Sequence, residues 1–268
     1  MKTPVLISTI PVLLFSCSKK NPEITPKVNT PTTEVIHKIS VSDSIKVEDS
    51  AKITDVLTGE FHAKVLVFEN ISDKTLQDSL YAPLNIKLDN YSKQELQKGL
   101  HTKKEAFYQE IKELLSDWSP EFKQIWGQHS AMKVFSDKND FLTVQYTADG
   151  YTGGAHGYYN EIYKVFDTEN LKTLQLKDIL KAQDPQIWSR ILMDNFLKND
   201  LDTEQAQMLL VKDIPLNNNF YFDDQHLYFL YNQYEIAAYA AGPILIKVPF
   251  ADIKPFLNDT FKSRLKIQ

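Results

Sequence analysis

The spacing of apolar side chains changes along the chain, and each change predicts a new element. Residues 58–68 alternate apolar and polar positions, which predicts a half-buried strand. The face predicted to be buried consists of Phe61, Ala63, Val65 and Val67. Ser72 and Asp73 then precede apolar residues at three- or four-residue spacing up to Tyr91, which predicts a helix that Pro83 interrupts. A second helix is predicted over 102–118, before Pro120.

The remainder alternates between strands and short helices. Strands are predicted at 35–47, 129–135, 140–146, 158–166 and 244–248, and a hairpin over 219–231 that turns at 223–225. Asp184 and Pro185 have the residue types of a helix N-cap and first helical position, and a closing helix is predicted over 249–257. This mixed order predicts an α+β fold of mainly antiparallel sheets with packed helices, in two sequential subdomains, 35–150 and 151–268.

The first 34 residues have a different character. An apolar run over 4–15 is too short to span a bilayer and has the proportions of a signal-peptide core. Cys17, the only cysteine, follows it and resembles the lipobox cysteine of bacterial lipoproteins, which implies cleavage after residue 16 and a lipid on the sulfur. The alternative is a secreted protein with an incidental cysteine. The proline-containing polar segment 17–34 is expected to be a flexible tether.

Composition narrows the class of protein. The net charge is −5, and loss of residues 1–16 removes one lysine and makes it about −6. A mildly acidic chain without clustered Lys and Arg argues against a nucleic-acid binder. The 43% apolar and 12% aromatic content is enough for a packed core, which must form without an internal disulfide.

Half of the eight glycines lie in one stretch, Asp-Gly-Tyr-Thr-Gly-Gly-Ala-His-Gly at 149–157, between two predicted strands. Glycine allows positive φ angles and close backbone approach, so this connection is expected to have an unusual shape. His156 at this turn is either an exposed ligand or catalytic group, or a ring that fixes the turn through the backbone; one histidine alone favours the second.

Motifs for catalysis or cofactor binding are not found in the sequence. The six histidines are scattered, without the spacing of a zinc site. The sequence has no Gly-x-Ser-x-Gly elbow, and the glycine stretch lacks the Gly-Lys-Ser/Thr of a phosphate loop. Asp223 and Asp224 could be paired acid–base carboxylates, but a hairpin turn explains them better. The sequence therefore predicts a non-enzyme without metal or cofactor.

Ten of the thirteen tyrosines lie in the second half of the chain. Tyrosine suits binding surfaces and sugar stacking, and it also suits ordinary strands. We expect most of them to be structural. If the glycine turn and the segment 234–242 meet at one end of a sheet, a shared binding surface follows. Its predicted residues are Tyr151, Gly153, Gly154, His156, Tyr234 and Tyr239.

Three blocks resemble the RsiV-type extracytoplasmic domain, known from a lysozyme-binding anti-sigma factor. They are the stretch 151–157, the stretch 166–180, and the stretches 220–224, 234–243 and 248–253. The region 47–147 is more weakly similar to the PdaC-type domain of a peptidoglycan deacetylase, which usually precedes the RsiV-type domain. We expect neither a sigma-binding region nor a deacetylase domain in this chain, so the resemblance does not imply those activities.

The resemblance and the signal-like segment together imply a lipid-anchored, extracytoplasmic binding protein of the bacterial envelope, with the outer membrane as the expected location. Its expected partner is a lysozyme-like protein or cell-wall glycan, and no nucleic acid. The alternatives are an enzyme that modifies peptidoglycan and a structural envelope lipoprotein. The sequence does not identify the ligand, the membrane leaflet or the oligomeric state.

Overall fold

A computed structural model describes residues 39–117, 119–200 and 204–267. The predicted signal peptide, Cys17 and the predicted tether lie outside these residues. The described residues belong to one compact unit. The first sheet contains β1 (Ser40–Lys52), β2 (Leu57–Glu69), β3 (Gln124–Lys138), β4 (Phe141–Tyr151), β5 (Tyr158–Asp167) and β6 (Lys172–Thr173). The second contains β7 (Phe220–Phe222), β8 (His226–Tyr231) and β9 (Ile244–Pro249).

Six α-helices accompany the sheets in the described residues. They are α1 (Lys74–Tyr81), α2 (Lys93–Asp117), α3 (Leu176–Ile179), α4 (Pro185–Asn199), α5 (Phe250–Ile253) and α6 (Asp259–Leu265). Short 3₁₀ turns cover Ala82–Leu84, Gln205–Met208, Tyr239–Ala241 and Lys254–Phe256. The predicted α+β class with mainly antiparallel sheets is confirmed.

Strand order in the first sheet follows chain order from β1 to β6. All neighbouring pairs are antiparallel except β2 and β3. That pair is parallel because α1 and α2 form the long crossover that parallel strands need. The turn from β3 to β4 places Asn139 and Asp140 at φ angles of 53° and 58°, the left-handed conformation that two-residue hairpins favour.

Two hydrophobic cores form on opposite faces of this sheet. Leu142 and Val144 of β4 pack with α1, α2 and Trp126. Phe141 of β4 and Val165 of β5 instead pack with α4 and the second sheet. Alternation along the strands produces this division. The predicted domain boundary after residue 150 lies within β4, and the two-subdomain description stays a prediction.

Most local predictions are confirmed. Asp73 caps α1, and Asp184 caps α4 by accepting from the N–H groups of Gln186 and Ile187. The interruption predicted at Pro83 is confirmed, since α1 ends at Tyr81 and a 3₁₀ turn follows, but the helix does not resume before Tyr91. The second helix begins at Lys93, earlier than predicted, and α6 was not predicted at all.

Candidate functional site

Two loops build the candidate site, and the first is the glycine-rich connection between β4 and β5. Gly153 and Gly154 both have φ angles of 95°, where a residue with a Cβ is strained. The hydroxyl of Tyr151 donates to the carbonyl of Gly154 at 3.0 Å and closes the loop. A Cβ on Gly150 would lie 2.5 Å from the carbonyl oxygen of Gly127, so the end of β4 passes its neighbour too closely for a side chain.

The second loop connects β8 to β9. Tyr234 adopts a φ angle of 66° although it is not glycine, and its side chain is 60% exposed. Its backbone N–H donates to the carbonyl of Ala237 at 3.1 Å, which holds the turn. Left-handed backbone at a bulky residue costs of order 1–3 kcal/mol and is most often kept at functional sites. The loop thus presents a large aromatic ring to solvent at an energetic cost.

The two loops meet through an exposed histidine. The ring of His156 stacks on that of Tyr239, with centroids 3.9 Å apart and an interplanar angle of 24°. Its Nε2 lies 3.2 Å from the hydroxyl of Tyr234. The rings of Tyr234 and Tyr239 are 5.9 Å apart. We call His156, Tyr234 and Tyr239 the aromatic surface. The two loops meet, as the hypothesis of a shared surface requires, and its role in binding stays a prediction.

Hydrogen bonding assigns the tautomer of His156. Nδ1 lies 2.8 Å from the carbonyl oxygen of Gly157, which can only accept, so Nδ1 carries the proton in the neutral ring. Nε2 is then the acceptor for the Tyr234 hydroxyl. The backbone contact is the turn-fixing role considered for this residue, and the same ring also contributes to the aromatic surface. Among the described residues Tyr151 is not part of these ring contacts and acts within its own loop.

Two asparagines attach the second sheet to β5 of the first: Asn232 at the start of the second loop and Asn219 just before β7. The Oδ1 atom of Asn232 accepts from the N–H of Glu161 at 2.7 Å, and its Nδ2 donates to the carbonyl of Glu161 at 3.0 Å. The Nδ2 atom of Asn219 donates to the carbonyl of Glu161 at 2.7 Å, and its Oδ1 accepts from the N–H of Tyr163 at 2.8 Å. These amides replace a neighbouring strand along β5. Sequence reasoning missed both, because nothing local distinguishes them from loop asparagines.

The side-chain carboxylate of Glu161, beside this attachment point, already accepts several hydrogen bonds. Glu161 accepts from the hydroxyls of Tyr159 and Tyr163 at 2.8 and 2.6 Å, and Gln145 contacts it as well. Burial, together with the bond to Glu161, raises the pKa of Tyr159 to about 12. The phenols therefore remain neutral donors at physiological pH, and Glu161 is engaged in a structural network rather than positioned as a general base.

Asp223 has a turn-forming role. It accepts from the N–H groups of Gln225 and His226 and from the hydroxyl of Tyr228, each at 2.7 Å. Burial alone would raise the pKa of Asp223, but these hydrogen bonds lower it overall. This geometry agrees with the turn interpretation of the Asp223–Asp224 pair. A cleft of about 540 Å³ beside this hairpin, lined by Phe135 and Tyr221 among others, lies at the opposite end of β4 from His156.

Two histidines that are far apart in the sequence lie side by side in the fold, although the sequence contains no local zinc motif. The parallel register of β2 and β3 pairs His62 directly with His129, a contact that no sequence spacing encodes. Within the described ranges, Glu60, His62 and His129 form a group able to hold a metal ion. In the same part of the chain no helix is long and apolar enough to cross a membrane.

Comparison with known proteins gives a family match over part of the chain. The chain shares its fold with a member of the DUF3298 family from Bacteroides fragilis NCTC 9343, with 21% identity, a TM-score of 0.69, and coverage of 84% of this chain and 97% of that one. A DUF3298 family protein from Pseudomonas aeruginosa PAO1 has 15% identity, a TM-score of 0.49, and coverage of 82% and 95%. No curated protein matches. Residues 168–251 match the family model described as a protein of unknown function, DUF3298.

Proposed function

We propose that this chain is a lipid-anchored, extracytoplasmic binding protein of the bacterial envelope and that the aromatic surface contacts its partner. The observation that carries the proposal is the contact of the exposed rings of His156 and Tyr234 with the half-buried ring of Tyr239, held together by two loops with left-handed backbone. Aromatic side chains supply large contact area at little cost in side-chain entropy, and they dominate binding energy at interfaces.

A lysozyme-like protein is the partner that we put first. Such proteins are basic, and the net charge of −5 favours their approach. The resemblance of the sequence to the RsiV-type domain, preceded by a PdaC-type domain, supports the same partner, because both loops of the aromatic surface lie in the blocks that carry it. Cell-wall glycan is the second candidate, since aromatic faces also stack on sugars. Cys17 is the proposed lipid attachment site.

Calorimetry of the full chain with hen-type lysozyme and with soluble peptidoglycan fragments tests the proposal. At about 0.15 M salt the Debye length is about 8 Å, so unspecific attraction between an acidic and a basic protein is screened. We expect lysozyme binding that resists added salt. Replacing Tyr239 by alanine is expected to weaken it at least about tenfold, as loss of an interface anchor does.

Phe135→Ala is the matched control. This aromatic residue is 42% exposed and lies in β3 at the other end of the sheet, so its loss should leave affinity unchanged. If Tyr239→Ala binds normally and Phe135→Ala does not, the aromatic surface is the wrong site. Binding to glycan alone would favour a wall-attachment role. Binding to neither ligand would favour a structural lipoprotein, and turnover of the glycan fragments would favour an enzyme.

A further inference from the structure

Three strands of the first sheet bring metal-binding side chains to one place. Glu60 and His62 lie two residues apart on β2 and therefore share a face. His129 on β3 is the direct partner of His62 in the parallel register. Asp149 on β4 is in turn the direct partner of His129. The sheet thus aligns two imidazoles and two carboxylates across neighbouring strands.

The potential ligand atoms are already close together. One atom each from Glu60, His62 and His129 lies within 4.8 Å of the others. The two imidazole rings are stacked with centroids 4.8 Å apart. Ligands of a tetrahedral zinc ion are about 3.4 Å apart, since each bond is about 2.1 Å long. Binding would draw these atoms together by at most about 1.4 Å, which rotation about side-chain bonds supplies without movement of the strands.

A carboxylate orients His129 for coordination. The Nδ1 atom of His129 lies 2.9 Å from Oδ2 of Asp149. An ionised carboxylate oxygen can only accept a hydrogen bond, so Nδ1 of the neutral ring carries the proton and Nε2 carries the lone pair. That Nε2 is shielded from solvent and has no hydrogen-bond partner among the described residues. An unpaired buried nitrogen is costly. A histidine whose second nitrogen donates to a carboxylate is the usual arrangement of a metal ligand.

The backbone beside Nε2 has no side chain that would crowd this nitrogen. Gly127 lies in front of the ring, and a Cβ at this position would be 3.1 Å from Nε2. Any larger residue would crowd the nitrogen. Glu60, His62 and His129 are each partly exposed, so an ion can enter from solvent.

We propose that Glu60, His62 and His129 bind a divalent first-row transition cation of the zinc class, with Asp149 as a positioning residue. Two imidazole nitrogens select such ions over Ca²⁺ and Mg²⁺, which prefer oxygen ligands. Three protein ligands leave a fourth position open to water or to an external ligand. The site does not depend on the function of the aromatic surface.

Titration of Zn²⁺ into the full chain, in competition with a coloured chelator, tests the site. All measurements use a Cys17→Ser background so that the thiol contributes no affinity. We expect one Zn²⁺ per chain and no comparable binding of Ca²⁺. His62→Gln and His129→Gln should each weaken Zn²⁺ binding at least about tenfold, and Asp149→Asn should weaken it about 10–100-fold, as loss of a carboxylate behind a ligand does. His101→Gln, at an exposed position in α2, is the matched control and should bind as the parent does.

A folding defect is separated from a lost ligand in two ways. Zn²⁺ should raise the Tm of the parent and of His101→Gln but not that of His129→Gln, because only a chain that binds the ion is stabilised by it. Gly127→Ala keeps every ligand and should still lose affinity through crowding at Nε2. The proposal is overturned if the parent binds no stoichiometric Zn²⁺, or if His62→Gln and His129→Gln both retain parental affinity.

Discussion

The ion pair between Asp167 and Arg264 gives the sharpest test of how the fold is held together. Asp167, at the end of β5, is 2% exposed and receives two guanidinium hydrogen bonds, one from Nη1 and one from Nη2 at 3.2 Å. The guanidinium also lies 4.0 Å from the ring centroid of Phe141. Arg264 belongs to α6, so this contact attaches the last helix to the first sheet. We predict that Arg264→Ala strongly destabilises the chain.

The magnitude follows from the surroundings of the carboxylate. Removing one partner of a buried pair costs about 3–5 kcal/mol, because the remaining charge is left without compensation. Asp167 keeps hydrogen bonds from the N–H groups of Glu169 and Asn170 and from the Asn170 side chain, which places the loss near the lower limit. We expect about 3 kcal/mol, which for a chain of this size lowers the Tm by about 6–12 °C.

The pH dependence provides a second readout. Burial would raise the pKa of Asp167, but hydrogen bonds from Arg264 and Asn170 lower it overall. Because the folded pKa is below the unfolded value of about 3.9, the stabilisation is present above that pH and is lost as the pH falls. Without Arg264, the largest of the causes that lower this pKa is lost and the carboxyl binds a proton more readily. The difference in stability between the parent and Arg264→Ala should therefore be largest near neutral pH and should shrink on acidification.

Urea denaturation from pH 7 down to about pH 2 measures both quantities, because the stabilisation is lost only as the pH falls below the unfolded pKa. Arg190→Ala is the matched control, since Arg190 is also helical but its side chain is 86% exposed and its pairing with Asp194 is loose, at 4.0 Å. That substitution should cost less than about 1 kcal/mol. The reasoning is refuted if the two variants lose equal stability, or if the loss in Arg264→Ala does not change with pH.

Two further predictions concern the loops of the aromatic surface. Gly154→Ala should cost only about 1 kcal/mol, because its φ of 95° is strained but no atom lies within 4 Å of the added Cβ; Gly150→Ala should cost several times more in the same thermal melt, since its Cβ would lie 2.5 Å from a backbone oxygen, and equal losses would contradict this. Asn232→Ala should cost about 2–4 kcal/mol, because it removes two hydrogen bonds to the Glu161 backbone. It should also weaken partner binding by displacing Tyr234 and Tyr239, and unchanged stability and affinity would contradict the role given to this amide.

Local chemistry made much of the fold predictable. The Asp184–Pro185 pair defined the start of α4, and the turn residues at 223–225 defined the β7–β8 hairpin. The early start of α2 was missed because the segment 93–101 is polar and contains Gly99. Its helical form depends on Leu96 and Leu100, which are buried against distant strands. Information of this kind lies in tertiary packing and not in the segment itself.

The two loops of the candidate site could be predicted from the sequence, but the hydrogen bonds that hold them in place could not. Glycine scarcity pointed to the loop that carries His156, and the tyrosine pattern pointed to Tyr234 and Tyr239. Their contact depends on Asn219 and Asn232, whose partners on β5 are remote in sequence. The pairing of His62 with His129 depends on strand register across the α1–α2 crossover, which side-chain spacing does not specify.

The sheet with a core on each face also bears on how this sequence can be inherited. The segment that matches the family model, 168–251, begins just after β5 and ends within α5. The core that packs against α4 and the second sheet also needs residues outside this segment. Three of them precede it, Phe141, Tyr163 and Val165, and Phe261 of α6 follows it. A duplication or transfer of the matched segment alone would carry an incomplete core. The stretch of recognisable similarity is therefore shorter than the stretch that must evolve together, and a change of side-chain volume within it has to be accommodated by residues outside it.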